Sequence, residues 1–123
     1  MSAGTDDSKI ELNDEDGAIE LIYRSSKPQV SGVIASKEDG EDEWYVFVNA
    51  AEFVRDEPLE SKLRKVVHES LLNVNGVKSV EEADREEWLV MGNPDGKDLV
   101  RACINGLKSI ESEIEVYINS FSG

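Results

Sequence analysis

The sequence has one cysteine, Cys103, and one histidine, His68. A lone cysteine forms no disulfide within the chain, which is typical of a reducing compartment. A thiolate metal site needs several convergent soft ligands, so the sequence predicts no metal and no cofactor. Schemes that use a Cys–His pair or a Ser–His–Asp triad would depend on His68 as their base, and no motif supports them. We therefore expect a cytoplasmic protein that is not an enzyme.

Long apolar runs and leader features are also missing. No stretch approaches the roughly 18–20 apolar residues that a membrane span requires. The segment Met1–Asp7 has neither a basic nor an apolar region, so we expect no secretory signal.

Positive charge is scarce. The chain carries 13 basic residues against 27 acidic ones, a formal net charge of -14. Such a surface repels nucleic-acid phosphates and anionic lipids, so we expect neither nucleic acid nor membrane as a partner. It suits a basic protein partner, although the acidity is equally compatible with solubility or adaptation to salt alone.

The stretch Asn75–Val80 separates a helical pattern from a strand pattern. Apolar residues before it recur at helical spacing from Leu59 to Val74, and short apolar runs follow it, before helical spacing returns from Leu99 to Ile110. Cys103 lies on the apolar stripe of this second helix and is predicted to be buried. His68 falls on the opposite side of the first helix and is predicted to face solvent.

From Trp44 onward the predicted order is β-α-β-β-α-β, with Trp44–Asn49 as the strongest strand and Ile114–Phe121 as the last one. This order predicts an α+β, ferredoxin-like two-layer sandwich. Residues 1–17 are predicted to be a mobile acidic tail, and 18–123 a single domain. A β-hairpin, Ala18–Arg24 with Val30–Ser36, precedes the sandwich and either extends its sheet or covers its open face.

The segments Leu71–Val80, Leu89–Asp95 and Leu99–Ala102 together resemble the rhythm of heavy-metal-associated domains, which are small ferredoxin-like metal carriers. The resemblance covers about the second half of the chain. Where that family has a Cys-x-x-Cys pair, this chain has Ala50–Pro58 with no cysteine. The resemblance therefore implies the topology and argues against copper or zinc carriage.

Two function classes remain open. The first is an acidic protein-binding module that docks on a basic protein, as a nuclease inhibitor, an immunity protein or a secretion chaperone does, with aromatic anchors inside an acidic rim. Its predicted anchors are Trp44 and Trp88. Its predicted acidic contacts are Glu38, Asp39, Glu41, Asp42, Glu43, Glu81, Glu82, Glu86 and Glu87.

The second class is a small-molecule sensor or enzyme that uses the open sheet face near Trp44 and Trp88. Aromatic residues on a face without helices would mark such a surface, but we expect the N-terminal hairpin to cover them. Both classes allow a homodimer through exposed sheet edges.

Overall fold

The computed structural model of the chain describes residues 9–15, 18–24, 32–37, 42–50 and 55–122. It contains six strands and three helices within these ranges. In chain order they are β1 (Lys9–Glu15), β2 (Ala18–Arg24), β3 (Gly32–Lys37), β4 (Glu43–Asn49), α1 (Glu57–Leu72), β5 (Val77–Asp84), β6 (Glu87–Gly92), α2 (Gly96–Ser109) and α3 (Glu111–Ser122).

The strands form one antiparallel sheet in the order β1-β2-β3-β4-β6-β5. The α+β class predicted from the sequence is therefore confirmed. The N-terminal hairpin extends the sheet, because β2 pairs with β3 and β3 pairs with β4. It does not fold over the open face, where we expected it.

Strand β1 lies inside the segment 1–17 that the sequence analysis assigned to a mobile tail. Its whole length pairs with β2, from Lys9 opposite Arg24 to Glu15 opposite Ala18. This pairing satisfies backbone N–H and C=O groups that a tail would leave to water. The sequence did not predict this strand because the segment is mainly polar and acidic and has only two apolar residues.

The predicted last strand, Ile114–Phe121, is wrong, because these residues belong to α3. Alternating residues in this segment fit a strand, but Ile110, Ile114 and Tyr117 also fit the spacing of one helix face. The first two are buried, Tyr117 packs on the core, and Val116 is 72% exposed. In the predicted ferredoxin-like order, this last strand would lie beside β4. In the structure β3 lies there, on the side of β4 away from β6, so the ferredoxin-like order is not confirmed.

Both long helices begin where a carboxylate caps them. Asp56 accepts a hydrogen bond from the backbone N–H of Leu59 at 3.0 Å, and Asp95 accepts one from Lys97 at 2.9 Å. Each bond satisfies an amide that the first helical turn leaves free.

Helices α1 and α2 pack against each other and against one face of the sheet. That covered face contributes every second residue of the central strands to the core, as alternation requires. The buried strand residues are Val33, Ala35, Trp44, Val46, Val48, Val80, Trp88 and Val90. The residues predicted for the apolar face of α2 are all buried: Leu99, Val100, Cys103, Ile104, Leu107 and Ile110.

Two glycines allow the end of β6 to approach the end of α1. Gly76 and Gly92 have backbone φ angles of 95° and 126°, which residues other than glycine rarely adopt. A Cβ at Gly92 would overlap the carbonyl oxygen of Gly76. That oxygen accepts a hydrogen bond from Asn93 at 3.0 Å, so the two turns are held together through backbone atoms.

Candidate functional site

The open face is the side of the sheet that carries none of the described helices. Three large apolar side chains are exposed on its central strands: Tyr45 at 41%, and Phe47 and Met91 at 37% each. Ile34 and Leu89 are half-buried beside them. We call these five residues the apolar stripe.

The register of the strands places the stripe diagonally across the open face. Ile34 on β3 is opposite Phe47 on β4, and Tyr45 on β4 is opposite Leu89 on β6. Met91 lies two residues further along β6 and extends the diagonal. With strands about 4.8 Å apart and a rise of about 3.4 Å per residue, Ile34 and Met91 are separated by about 17 Å.

Carboxylates border the stripe on both sides. Glu87 is opposite Phe47, and Glu81 on β5 is opposite Leu89, which places both on one side of the diagonal. Glu43 is opposite Met91 and lies on the other side. The Glu43 carboxylate accepts a hydrogen bond from the Tyr45 hydroxyl at 3.1 Å, so this bordering carboxylate contacts a member of the stripe directly.

A depression of about 200 Å³ adjoins the Phe47 end of the stripe. It is lined by Phe47, Asp84, Arg85, Glu86 and Glu87, three carboxylates against one cation. The guanidinium of Arg85 lies 3.5 Å from a carboxylate oxygen of Glu60 on α1.

The Glu86 carboxylate at this end also has a structural contact. It accepts a hydrogen bond from the backbone N–H of Ala50 at 2.6 Å, and the backbone carbonyl of Glu86 accepts one from Val48 at 2.9 Å. These bonds fasten the end of β4 to the β5–β6 turn. The Glu86 carboxylate is therefore already engaged in a hydrogen bond within the fold.

The predicted acidic contacts that the structure describes lie in separate groups. Asp42 immediately precedes β4 and Glu43 begins it, next to the end of β6, where the backbone N–H of Gly92 donates a hydrogen bond to the backbone carbonyl of Asp42 at 3.0 Å. Glu86 and Glu87 lie at the other end of β6, about 17 Å away along the strand. The two groups thus lie at opposite ends of the stripe.

The remaining predicted acidic residues complete this distribution. Glu81 and Glu82 are exposed on β5, and the Glu82 carboxylate lies 3.7 Å from the guanidinium of Arg64. Glu38, Asp39 and Glu41 lie outside the described residues.

The two tryptophans predicted as anchors lie on the covered face. Trp44 is 4% exposed and Trp88 is 0% exposed. Trp88 is opposite Val46 and Trp44 is opposite Val90, so the two tryptophans are diagonal cross-strand neighbours on the covered face. Neither indole N–H has a hydrogen-bond partner among the described residues. As core residues they are not accessible to a partner.

The aromatic residues predicted as anchors therefore lie in the core, and those exposed on the open face, Tyr45 and Phe47, were not among the predicted anchors. Tyr45 and Phe47 alternate along β4 with the core residues Trp44, Val46 and Val48. Simple alternation therefore predicts that they lie on the face opposite Trp44. What was lacking was the position of the helices, which decides the covered face.

His68 is half-buried on α1, not fully turned to solvent as predicted. Its ring Nδ1 is buried and has no hydrogen-bond partner among the described residues. A general base needs an orienting partner, and the described part of the chain gives His68 none. The adjoining depression of about 340 Å³ has mixed charge and is lined by Ser61, Arg64, Lys65, His68, Glu69 and Glu82.

Cys103 is fully buried on α2, as predicted. Burial raises the pKa of its thiol to about 12, because desolvation disfavours the thiolate. Within the described ranges, no group of three or more His, Cys, Asp or Glu residues could hold a metal ion. In the same part of the chain, no helix is long and apolar enough to cross a membrane.

No family model, curated protein or solved structure matches this chain. The resemblance to heavy-metal-associated domains is therefore not confirmed.

Proposed function

We propose that this protein is an acidic binding module that docks on a basic protein partner through its open sheet face. The observation that carries the proposal is the apolar stripe, whose exposed members Tyr45, Phe47 and Met91 lie between carboxylates. Such a module would be of the inhibitor, immunity-protein or secretion-chaperone type named above.

The composition of the stripe favours a protein partner. Tyrosine, phenylalanine and methionine are enriched in the cores of protein–protein interfaces, and a polar rim usually surrounds them. Large contiguous apolar patches on a protein surface often mark interaction sites. The stripe lies on paired central strands, so its side chains are held on a rigid support.

The carboxylates around the stripe favour a basic partner. Glu43, Glu81 and Glu87 create a negative potential directly around the apolar contact. Complementary charge accelerates encounter and disfavours acidic competitors, while the buried apolar contact supplies affinity.

The alternative function, a small-molecule sensor or enzyme, has weaker support. Ligand pockets are usually lined by apolar and aromatic side chains with few polar groups. The depressions beside Phe47 and beside His68 are lined mainly by charged residues. Trp44 and Trp88, around which that function was predicted, are inside the core.

Crosslinking from the open face tests the proposal. A photoreactive amino acid at position 47 should capture a basic protein from extracts of the protein's own cells. The same group at Leu72, which is 47% exposed on α1, is the matched control and should not capture it. Capture of the same proteins from both positions, or of acidic ones only, would contradict the proposal.

A charge series with the captured partner tests the role of the rim. Removing Glu43, Glu81 and Glu87 by substitution to glutamine should slow association about tenfold or more at low salt. The control removes equal charge on the helices, through Glu57→Gln, Glu69→Gln and Glu113→Gln. Equal slowing in both variants would show that only net charge matters.

A further inference from the structure

We infer that the element of the partner that occupies the apolar stripe is an amphipathic α-helix of about three turns with lysine or arginine along both borders. This inference rests on the proposed function and specifies the shape and chemistry of the partner.

The backbone pairing of the sheet excludes recognition by added strands at this place. The stripe lies on β3, β4 and β6, and each of these strands already pairs with a neighbour on both sides. A ligand on this face therefore contacts side chains only. An extended segment would bury backbone N–H and C=O groups without partners, which is costly. A helix satisfies those groups internally.

The shape of the stripe also matches one helix. Among the residues whose burial the structure describes, Glu87 and Glu81 border the stripe on one side and Glu43 borders it on the other. A second sheet packed on this face would bury these carboxylates, which is costly without partners. The length of about 17 Å corresponds to about 11 helical residues at 1.5 Å each.

The charge on the borders defines the flanks of that helix. Lysine or arginine beside its apolar face would lie within reach of Glu81 and Glu87 on one side and Glu43 on the other. The depression beside Phe47 can accept one long cationic side chain, whose charge would lie near Asp84, Glu87 and the aromatic ring. Long cationic side chains also cover apolar surface with their methylene stems.

A second copy of this chain is the competing occupant. Two copies would bring equal sets of carboxylates together, with a net charge of -14 on each chain. Their association would strengthen as salt screens the charges, whereas binding of a basic helix would weaken. The salt dependence therefore distinguishes the two occupants.

The test uses two labelled peptides of about 14 residues with identical leucine and lysine content and different order. In one peptide leucine recurs at helical spacing, and in the other it alternates with lysine as in a strand. Binding to the full chain is measured by fluorescence anisotropy at about 50 mM and 500 mM NaCl, and peptide helicity by circular dichroism.

We expect the helical pattern to bind about tenfold tighter or better than the strand pattern, with a gain of helix on binding and weaker binding at high salt. Phe47→Ser and Met91→Ser should each weaken that binding about fivefold or more. The controls Leu72→Ser and Val116→Ser remove exposed apolar residues elsewhere and should leave it unchanged.

The contrary outcomes separate this inference from the proposed function. Equal or tighter binding of the strand pattern, still weakened by Phe47→Ser, would overturn the helix and leave the docking face intact. Binding of both peptides that ignores Phe47→Ser would reduce recognition to bulk charge and overturn both. Failure of both peptides to bind would overturn the helix, and crosslinking at position 47 would then decide the face. Self-association that rises with salt and is abolished by Phe47→Ser would assign the stripe to a second copy.

Discussion

Trp44 and Tyr45 are consecutive on β4 and lie on opposite faces of the sheet, 4% and 41% exposed respectively. The indole packs beneath the helices beside Val90, and the phenol lies in the apolar stripe opposite Leu89. One residue step along the strand thus separates the core of the protein from its candidate binding surface.

Substitutions on the two faces should therefore have separate effects. Trp88→Ala should reduce the free energy of unfolding by about 3–5 kcal/mol, because it removes a fully buried ring and leaves a cavity. Phe47→Ser should cost less than about 1.5 kcal/mol, since its ring is exposed and loses chiefly cross-strand contacts. Urea unfolding measures both. A larger loss for Phe47→Ser than for Trp88→Ala would contradict the assignment of faces.

Gly92→Ala should destabilise the protein by about 2 kcal/mol or more. The alanine would have to adopt a φ near 126°, and its Cβ would meet the Gly76 carbonyl. Asn93→Ala, at the exposed next position, is the control and should change stability by less than about 0.5 kcal/mol. Thermal unfolding of the two variants makes the comparison, and equal midpoints would argue against the close approach of the two turns.

The thiol of Cys103 should not react with a thiol reagent at pH 8 while the protein is folded. Burial raises its pKa to about 12, so the reactive thiolate is scarce and enclosed. Reaction should appear only as urea unfolds the chain. Rapid stoichiometric labelling without denaturant would show that α2 opens locally.

The same pKa shift predicts a loss of stability at high pH. The unfolded thiol titrates near pH 8.5, whereas the folded one stays protonated to about 12. The stabilising effect is complete below about pH 8.5 and is lost progressively up to about pH 12, at about 1.4 kcal/mol per unit in that window. The urea midpoint should fall more steeply with pH in the wild type than in Cys103→Ala, and parallel slopes would refute the effect.

Salt should raise the melting temperature. The net charge of -14 makes the compact state repel itself, and screening relieves that repulsion as the Debye length falls to about 3 Å near 1 M. Sodium and potassium chloride should act alike if screening is the cause. A melting temperature that does not change with salt would contradict a destabilising repulsion between the excess carboxylates of the folded state.

The spacing of apolar residues and the turn residues between them predicted much of the fold. Helical spacing located α1 and α2, and the stretch Asn75–Val80 marked the change from α1 to β5. These features succeed because they depend on local chemistry: caps, backbone freedom and the spacing of one buried face.

The predictions that differ from the structure concern segments whose local sequence is compatible with more than one conformation. Ile114–Phe121 fits both a strand and a helix, and only packing on α2 and the core distinguishes them. Residues 9–15 become a strand because β2 supplies a partner for their backbone.

For the candidate site, composition alone gave the acidic character and the scarcity of catalytic groups, since these depend only on which residues are present. The tertiary structure decided which aromatics are accessible. Alternation divides Trp44 and Trp88 from Tyr45 and Phe47, but the two faces are equivalent until α1 and α2 pack on one of them. That packing buries the tryptophans and leaves the stripe open between Glu43, Glu81 and Glu87, because apolar burial by a single helical layer can cover only one side of a sheet.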